Sequence, residues 1–131
     1  MGLDVRIKGM KHEETYHCGY ITFHAYRCLV ASAYNNELGK IYEKPYNNRT
    51  EEDIKRWNEL CNDDLDLFLW HSDCEGKLTW KECRAIYKVM KDLDVKMQGH
   101  NYGTMNYYDM HQLWLNMFRF CWHHRVNMWF E

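Results

Sequence analysis

The stretch 110-MHQLWLNMFRFCWHHRVNMWF-130 changes its period partway, and that change decides the fold. Met110, Leu113, Trp114, Met117, Phe118 and Cys121 recur at i, i+3, i+4, i+7, i+8 and i+11, the spacing of one helical face. His123, His124 and Arg125 close that helix, where cations suit the carboxyl end of the dipole. Val126, Met128 and Phe130 then alternate, as a strand does. At the other end of the chain Leu3, Val5 and Ile7 alternate with Asp4, Arg6 and Lys8. Strands at both ends with helices between them predict an α+β fold: about four helices packed on a small sheet formed by the N- and C-terminal strands.

The other three helices follow from the same spacing. Ile21, Ala25, Cys28, Leu29 and Ser32 share a face that ends at Asn35, Asn36 and Gly39. Lys40 to Tyr46 reads as an extended edge segment closed by Pro45. Thr50 caps an acidic helix with Glu51, Glu52 and Asp53 in its first turn and Ile54, Trp57, Cys61, Leu65 and Phe68 as its buried stripe. Cys83, Ile86, Tyr87, Met90 and Leu93 mark a third.

Between the second and third of these lies 70-WHSDCEGKLTWKECRAIY-87, the segment richest in chemistry. With Gly76 at position 6 of an EF-hand loop, Asp73, Glu75, Thr79 and Glu82 fall at positions 3, 5, 9 and 12, and Lys77 offers its carbonyl at position 7. His71 stands at position 1, where calcium wants an oxygen. Zinc is a second reading: His71-x-x-Cys74 has ligand spacing, and Cys83 or a C-terminal histidine could complete a set. The preferred reading needs no ion. Gly76 supplies a turn, Thr79 and Glu82 form a capping box, and Ser72 and Asp73 bond free loop amides.

The same segment, HSDCEGKLTWKEC, resembles a motif of small proteins of bacteria and their phages, HSDCDGE followed by a helix bearing EEC. Those proteins also open on a strand like MGLDV and close with an apolar helix and a short strand. This chain departs at Glu75, where the motif has aspartate, and at Trp80, where a small helix starter is common. The resemblance implies a fold and a phage or mobile-element setting. It assigns no catalytic residue.

At 131 residues the chain suits a single domain spanning 1–131. Its formal charge of −2 predicts no extended nucleic-acid footprint. No apolar run reaches the roughly 18 residues of a membrane span, and the start lacks an apolar leader, so a cytoplasmic setting is expected, with six reduced cysteines. Gly2 opens the chain, but Arg6 occupies the position where a myristoylation motif has Ser or Thr. No P-loop, G-x-G-x-x-G or G-x-S-x-G occurs.

These features favour a small non-enzymatic binding or inhibitor protein acting on a host defence factor. The alternatives are an immunity-type protein that neutralises a toxin, a sponge for a signalling nucleotide, and a metal-dependent or Cys/His enzyme. The candidate binding residues are His100, Tyr102, Tyr107 and Tyr108 in a polar-aromatic segment, because tyrosines give contact area at low entropy cost. Asp63 and Asp64, on the acidic helix, form a second expected contact.

Overall fold

The two chain ends pair as their alternation predicts: Val5 lies opposite Phe130 and Ile7 opposite Met128 in an antiparallel ladder. The computed structural model describes residues 2–95, 101, 102 and 105–131. In chain order its elements are β1 (Gly2–Ile7), β2 (His17–Gly19), α1 (Tyr20–Tyr34), α2 (Asn36–Glu43), α3 (Glu51–Leu60), α4 (Asp63–Leu69), β3 (Lys77–Leu78), α5 (Trp80–Met90), β4 (Asn101–Tyr102), β5 (Met105–Asn106), α6 (Tyr107–His124) and β6 (Met128–Phe130). Short 3-10 turns occupy His12–Glu14 and Tyr46–Asn48. The sheet order is β2-β1-β6-β3, antiparallel throughout, with β4 and β5 forming a separate pair. The fold is α+β, with six α-helices among the described residues rather than about four. No helix among them is long and apolar enough to cross a membrane.

Two differences from the sequence reading account for the extra helices. Residues 40–46 are not an extended edge. The asparagine that ends α1 also starts α2, because the Asn35 side chain accepts from Leu38 N at 3.1 Å. Leu38, Ile41 and Tyr42 then bury one face. Gly39 is a packing contact rather than a stop: a Cβ there would collide with the Ser32 side chain of α1. The acidic helix also breaks. Cys61 is extended, and Asn62 caps a new helix by accepting from Asp64 N at 2.7 Å.

The capping predictions hold. Thr50 Oγ1 accepts from Asp53 N at 3.1 Å, and Asp53 accepts from Thr50 N at 3.0 Å. Thr79 and Glu82 exchange the same pair of bonds at 3.3 and 2.9 Å. Gly76 adopts φ +90, a conformation side chains resist.

Two faces were read wrongly. Ile54 is 54% exposed and Ile21 is 79% exposed. In α1 the buried positions are Thr22, Phe23, Tyr26, Arg27, Val30 and Ala31, a face turned by about 100° from the one predicted, one residue's rotation. Phe23 and Tyr26 bring more apolar area than Ile21 and Cys28, and they set the helix's orientation.

The core is built around Trp114 of α6. Its ring lies 5.1 Å from Phe68, 5.2 Å from Tyr16, 5.3 Å from Phe23 and 5.6 Å from Phe118, centroid to centroid. Phe130 and Tyr26 complete the ring at 6.1 and 6.3 Å. Rings from β6, α1, α4 and the turn before β2 thus converge on one side chain, so that the sheet and the helices share one aromatic centre. The Trp114 indole N–H is buried without a hydrogen-bond partner among the described residues. That omission costs about 1–3 kcal/mol. Trp114→Ala is expected to destabilise the fold by about 3–5 kcal/mol and Trp114→Phe by much less, since phenylalanine keeps most of the ring and removes the orphaned donor. Denaturant unfolding of the two variants checks this order.

His111 adds a pH dependence. It is buried, and desolvation holds its pKa below the ordinary imidazole value. Burial also keeps the Tyr26 hydroxyl protonated, and that hydroxyl is hydrogen-bonded to His111 Nδ1 at 2.8 Å. The unfolded chain takes up a proton near pH 6.5 where the folded chain does not. Stability is therefore full above about pH 6.5 and falls as the solution is acidified towards the lower folded value. Melting temperature measured from about pH 7.5 down to 5 should show this acid limb, and His111→Asn, which leaves Tyr26 an acceptor, should flatten it.

Candidate functional site

Three of the six large hydrophobic side chains exposed among the described residues rim a single cleft: Tyr46 at 82% exposure, Ile54 at 54% and Trp70 at 45%. The cleft is about 550 Å³, within the range of small-ligand sites and side-chain pockets. Its walls come from α2, the turn at 46–48, α3 and the residue that ends α4. Trp57 forms the floor, only 4% exposed, and its indole N–H donates to Asp66 Oδ1 at 2.7 Å. Trp57 and Trp70 lie 4.8 Å apart, and Tyr42 stands 5.1 Å from Trp70 behind them.

Arg49 supplies the polar element. Its guanidinium lies 4.7 Å from the Trp70 ring, and Nη2 donates to the Tyr42 carbonyl at 3.0 Å. Its Nε is buried without a hydrogen-bond partner among the described residues. The backbone carbonyl before Trp70 is held twice: Tyr42 Oη donates to Leu69 O at 2.7 Å, and Arg27 Nη1 donates to it at 3.1 Å. Burial pushes the Tyr42 hydroxyl up to about 12, so it retains the proton it donates. The rim position of Trp70 is thereby fixed from the core side.

The residues singled out from sequence lie elsewhere. His100 lies outside the described residues, as does the side chain of Tyr102. Tyr107 is 4% exposed and packs in the core at the start of α6, so it does not present outward as an interface anchor. Tyr108, beside it, is 50% exposed. Asp63 and Asp64 are exposed in the first turn of α4. The acids and the tyrosines open different helices. The cleft is hidden in the sequence because Ile54 fits the spacing of a buried stripe. The available signal was Tyr46, an aromatic directly after Pro45 in a polar turn.

In the 71–82 segment the side chains serve the loop itself. His71 Nδ1 lies 2.8 Å from Ser72 O and Nε2 lies 3.1 Å from Lys77 O, so the ring spans the turn and packs 4.1 Å from Phe130. Ser72 Oγ accepts from Cys74 N and Glu75 N, both at 3.2 Å. Glu82 is turned back to Thr79 N. Among the described residues no group of three or more His, Cys, Asp or Glu side chains is gathered as a metal would need.

A second polar constellation sits on the sheet. His17 Nδ1 lies 2.6 Å from Asp4 Oδ1 and Nε2 lies 2.7 Å from Thr15 Oγ1, the order of a carboxylate, an imidazole and a hydroxyl. The order resembles that of a nucleophilic triad. The surroundings do not. Thr15 is 7% exposed, and its hydroxyl also lies 3.1 Å from the His12 carbonyl. One hydroxyl proton serves either that carbonyl or the imidazole, and the His12 ring stacks 3.6 Å from His17. The chain of bonds ties the turn at 12–14 and β2 to β1. Three of the six cysteines are shifted away from the thiolate. Burial raises the Cys28 thiol to about 11 and raises Cys61, while a bond with Cys121 together with burial raises Cys83. A reactive thiolate needs the opposite shift.

No protein-family model, curated protein or solved structure matches the chain. The site is therefore read from its own geometry. Thr79, Glu82 and Ser72 are bonded within the loop, while Asp73 makes none of the amide bonds expected of it among the described residues; chelator treatment is expected to leave the helical circular dichroism and the melting temperature unchanged. An ion held at a hundredfold excess over its Kd would add about 2.7 kcal/mol. A drop in melting temperature on chelation, restored by calcium or by zinc, would show that the turn does bind a metal.

Proposed function

We propose that this is a small non-enzymatic binding protein that seats an apolar side chain of a partner protein in the cleft between α2, α3 and the end of α4. The observation that carries the reading is the gathering of Tyr46, Ile54 and Trp70 around one concavity, in a chain whose other large apolar side chains are mostly buried. Aromatic side chains clustered with an arginine are the usual anchors of protein interfaces.

Charge indicates the partner's character. Residues 51–66 carry seven acids against Lys55 and Arg56. Asp53 is paired with Lys44, and Arg56 holds Glu37 and Glu59. Glu51, Glu52, Asp63 and Asp64 take part in no ion pair among the described residues, and Glu51 stands one turn before Ile54. An apolar anchor flanked by lysine or arginine fits this surface. In the phage or mobile-element setting that the motif resemblance implies, the partner is a host factor of a defence system. A toxin neutralised by an immunity-type protein would use the same contacts. A nucleotide is the weaker reading: Arg49 over Trp70 suits a stacked base, but the acidic surroundings oppose its phosphates.

Selection of displayed random peptides on the wild-type protein should enrich sequences with one large apolar residue flanked by basic ones. Trp70→Ala should weaken the selected peptides by about 2 kcal/mol or more. Charge reversal at Asp63 and Asp64 should chiefly slow association and reduce its salt dependence. Enriched peptides that bind Trp70→Ala as tightly as wild type would remove the cleft from the function.

A further inference from the structure

On the sheet's outer face, and on the helix that leaves the sheet at β3, the surface has the opposite character. Lys77, Trp129 and Arg6 are direct neighbours across β3, β6 and β1 in the ladder register. All three point away from the core. The Trp129 ring is 37% exposed, with Lys77 Nζ 5.4 Å and the Arg6 guanidinium 5.8 Å from its centre. β3 leads through Thr79 into α5, whose residues 80, 84, 87 and 88, with Lys91 just past its end, lie on one face at i, i+4, i+7, i+8 and i+11. That face repeats the pattern with half-buried rings in place of the exposed Trp129. Trp80 is flanked by Arg84 at 5.6 Å and by Arg125 at 5.5 Å. Farther along, Trp122 of α6 meets Lys88 at 5.7 Å and the Tyr87 ring at 5.9 Å.

From Lys77 to Lys91 there are five cations and one acid. The acid, Glu82, is turned back to cap α5 at Thr79 N. Glu131 is bonded to Arg6 at 2.8 Å, and Asp4 is engaged by His17. Asp92 and Glu75 remain at the margins. The formal charge of −2 therefore conceals a segregated molecule, with the acidic surface on α3 and α4 and the basic one along β3 and α5.

The geometry points to a binding site for single-stranded nucleic acid along this path, with Trp129, Trp80 and Trp122 as stacking platforms and the interleaved lysines and arginines as phosphate contacts. Rings and cations in alternation meet the two needs of a single strand at once. Unpaired bases have faces to stack, and each phosphate carries a charge to neutralise. A duplex hides its base faces and would use only the cations. An acidic peptide would use the cations and leave three tryptophans idle. The path measures roughly 16 Å along α5 and roughly 10 Å across the three strands, long enough for several nucleotides. This site is separate from the cleft and does not depend on what the cleft binds.

Fluorescence anisotropy with labelled oligothymidylate and oligouridylate of about 12 nucleotides, at roughly 50 mM salt, tests the proposal. Both probes should bind and quench tryptophan emission. Binding should weaken steeply with added salt. Trp129→Ala should lower affinity about tenfold, Trp129→Phe should restore most of it, and Arg84→Glu with Lys88→Glu should abolish it. Trp129 and Lys88 are exposed and Arg84 is half-buried, and circular dichroism verifies the fold of each variant. Three results would overturn the proposal: no binding at low salt, equal competition by duplex or by polyglutamate, or binding that Trp129→Ala leaves unchanged. Capture on vesicles of anionic lipid without oligonucleotide binding would assign the face to a membrane surface instead.

Discussion

Arg27 brings a positive charge into the core with no carboxylate bonded to it. It is 7% exposed, and its Nη1 donates to the carbonyls of Phe68, Leu69 and His71 at 3.1, 3.1 and 2.7 Å. Those carbonyls belong to the end of α4 and the residues just beyond it, where a helix leaves acceptors unpaired and its dipole favours a cation. The Phe23 ring lies 4.2 Å from the guanidinium. Burial lowers the arginine's pKa, and the Asp73 carboxylate opposes part of that shift. Much of the rest depends on this one contact. It ties α1 to a segment about forty residues away, terminates α4 where Trp70 must reach the cleft, and sets the start of the turn that His71 spans.

How much of this was legible in the sequence varies with the range of the interaction. The α6 stripe, the paired chain ends, the caps at Thr50 and Thr79 and the turn at Gly76 all follow from residues within about a dozen positions of one another, or from a plain alternation. Their physics is local. The break at Asn62 and the helix after Asn35 depend on which of two uses an asparagine side chain takes, and the surrounding spacing allowed either. β2 and β3 have three and two residues, too few to show a period.

The cleft was illegible for a different reason. Its walls come from residues 41, 46, 49, 54, 57 and 70, and no single stretch shows them together. Ile54 lies three positions before Trp57 and matches the stripe that buries it, yet only one of the two is buried. Hydropathy cannot separate a rim residue from a core residue on the same helical face. The tyrosines at 107 and 108 show the converse. Adjacent and chemically alike, they divide between the core and the surface because α6 begins there and turns successive side chains by about 100°.

The separation of charge into an acidic side and a basic side makes the molecule complementary to itself. Contact between unlike sides of two copies is head-to-tail, and such contacts propagate into open chains unless their rotation happens to close a ring. Ions at physiological strength screen exposed charges beyond about 8 Å, which weakens that attraction. The near-neutral total charge is thus a poor guide to colloidal behaviour. Solubility should improve with added salt, the reverse of what a uniformly charged surface would give, and whichever ligand covers one pole would also remove the partner for the other.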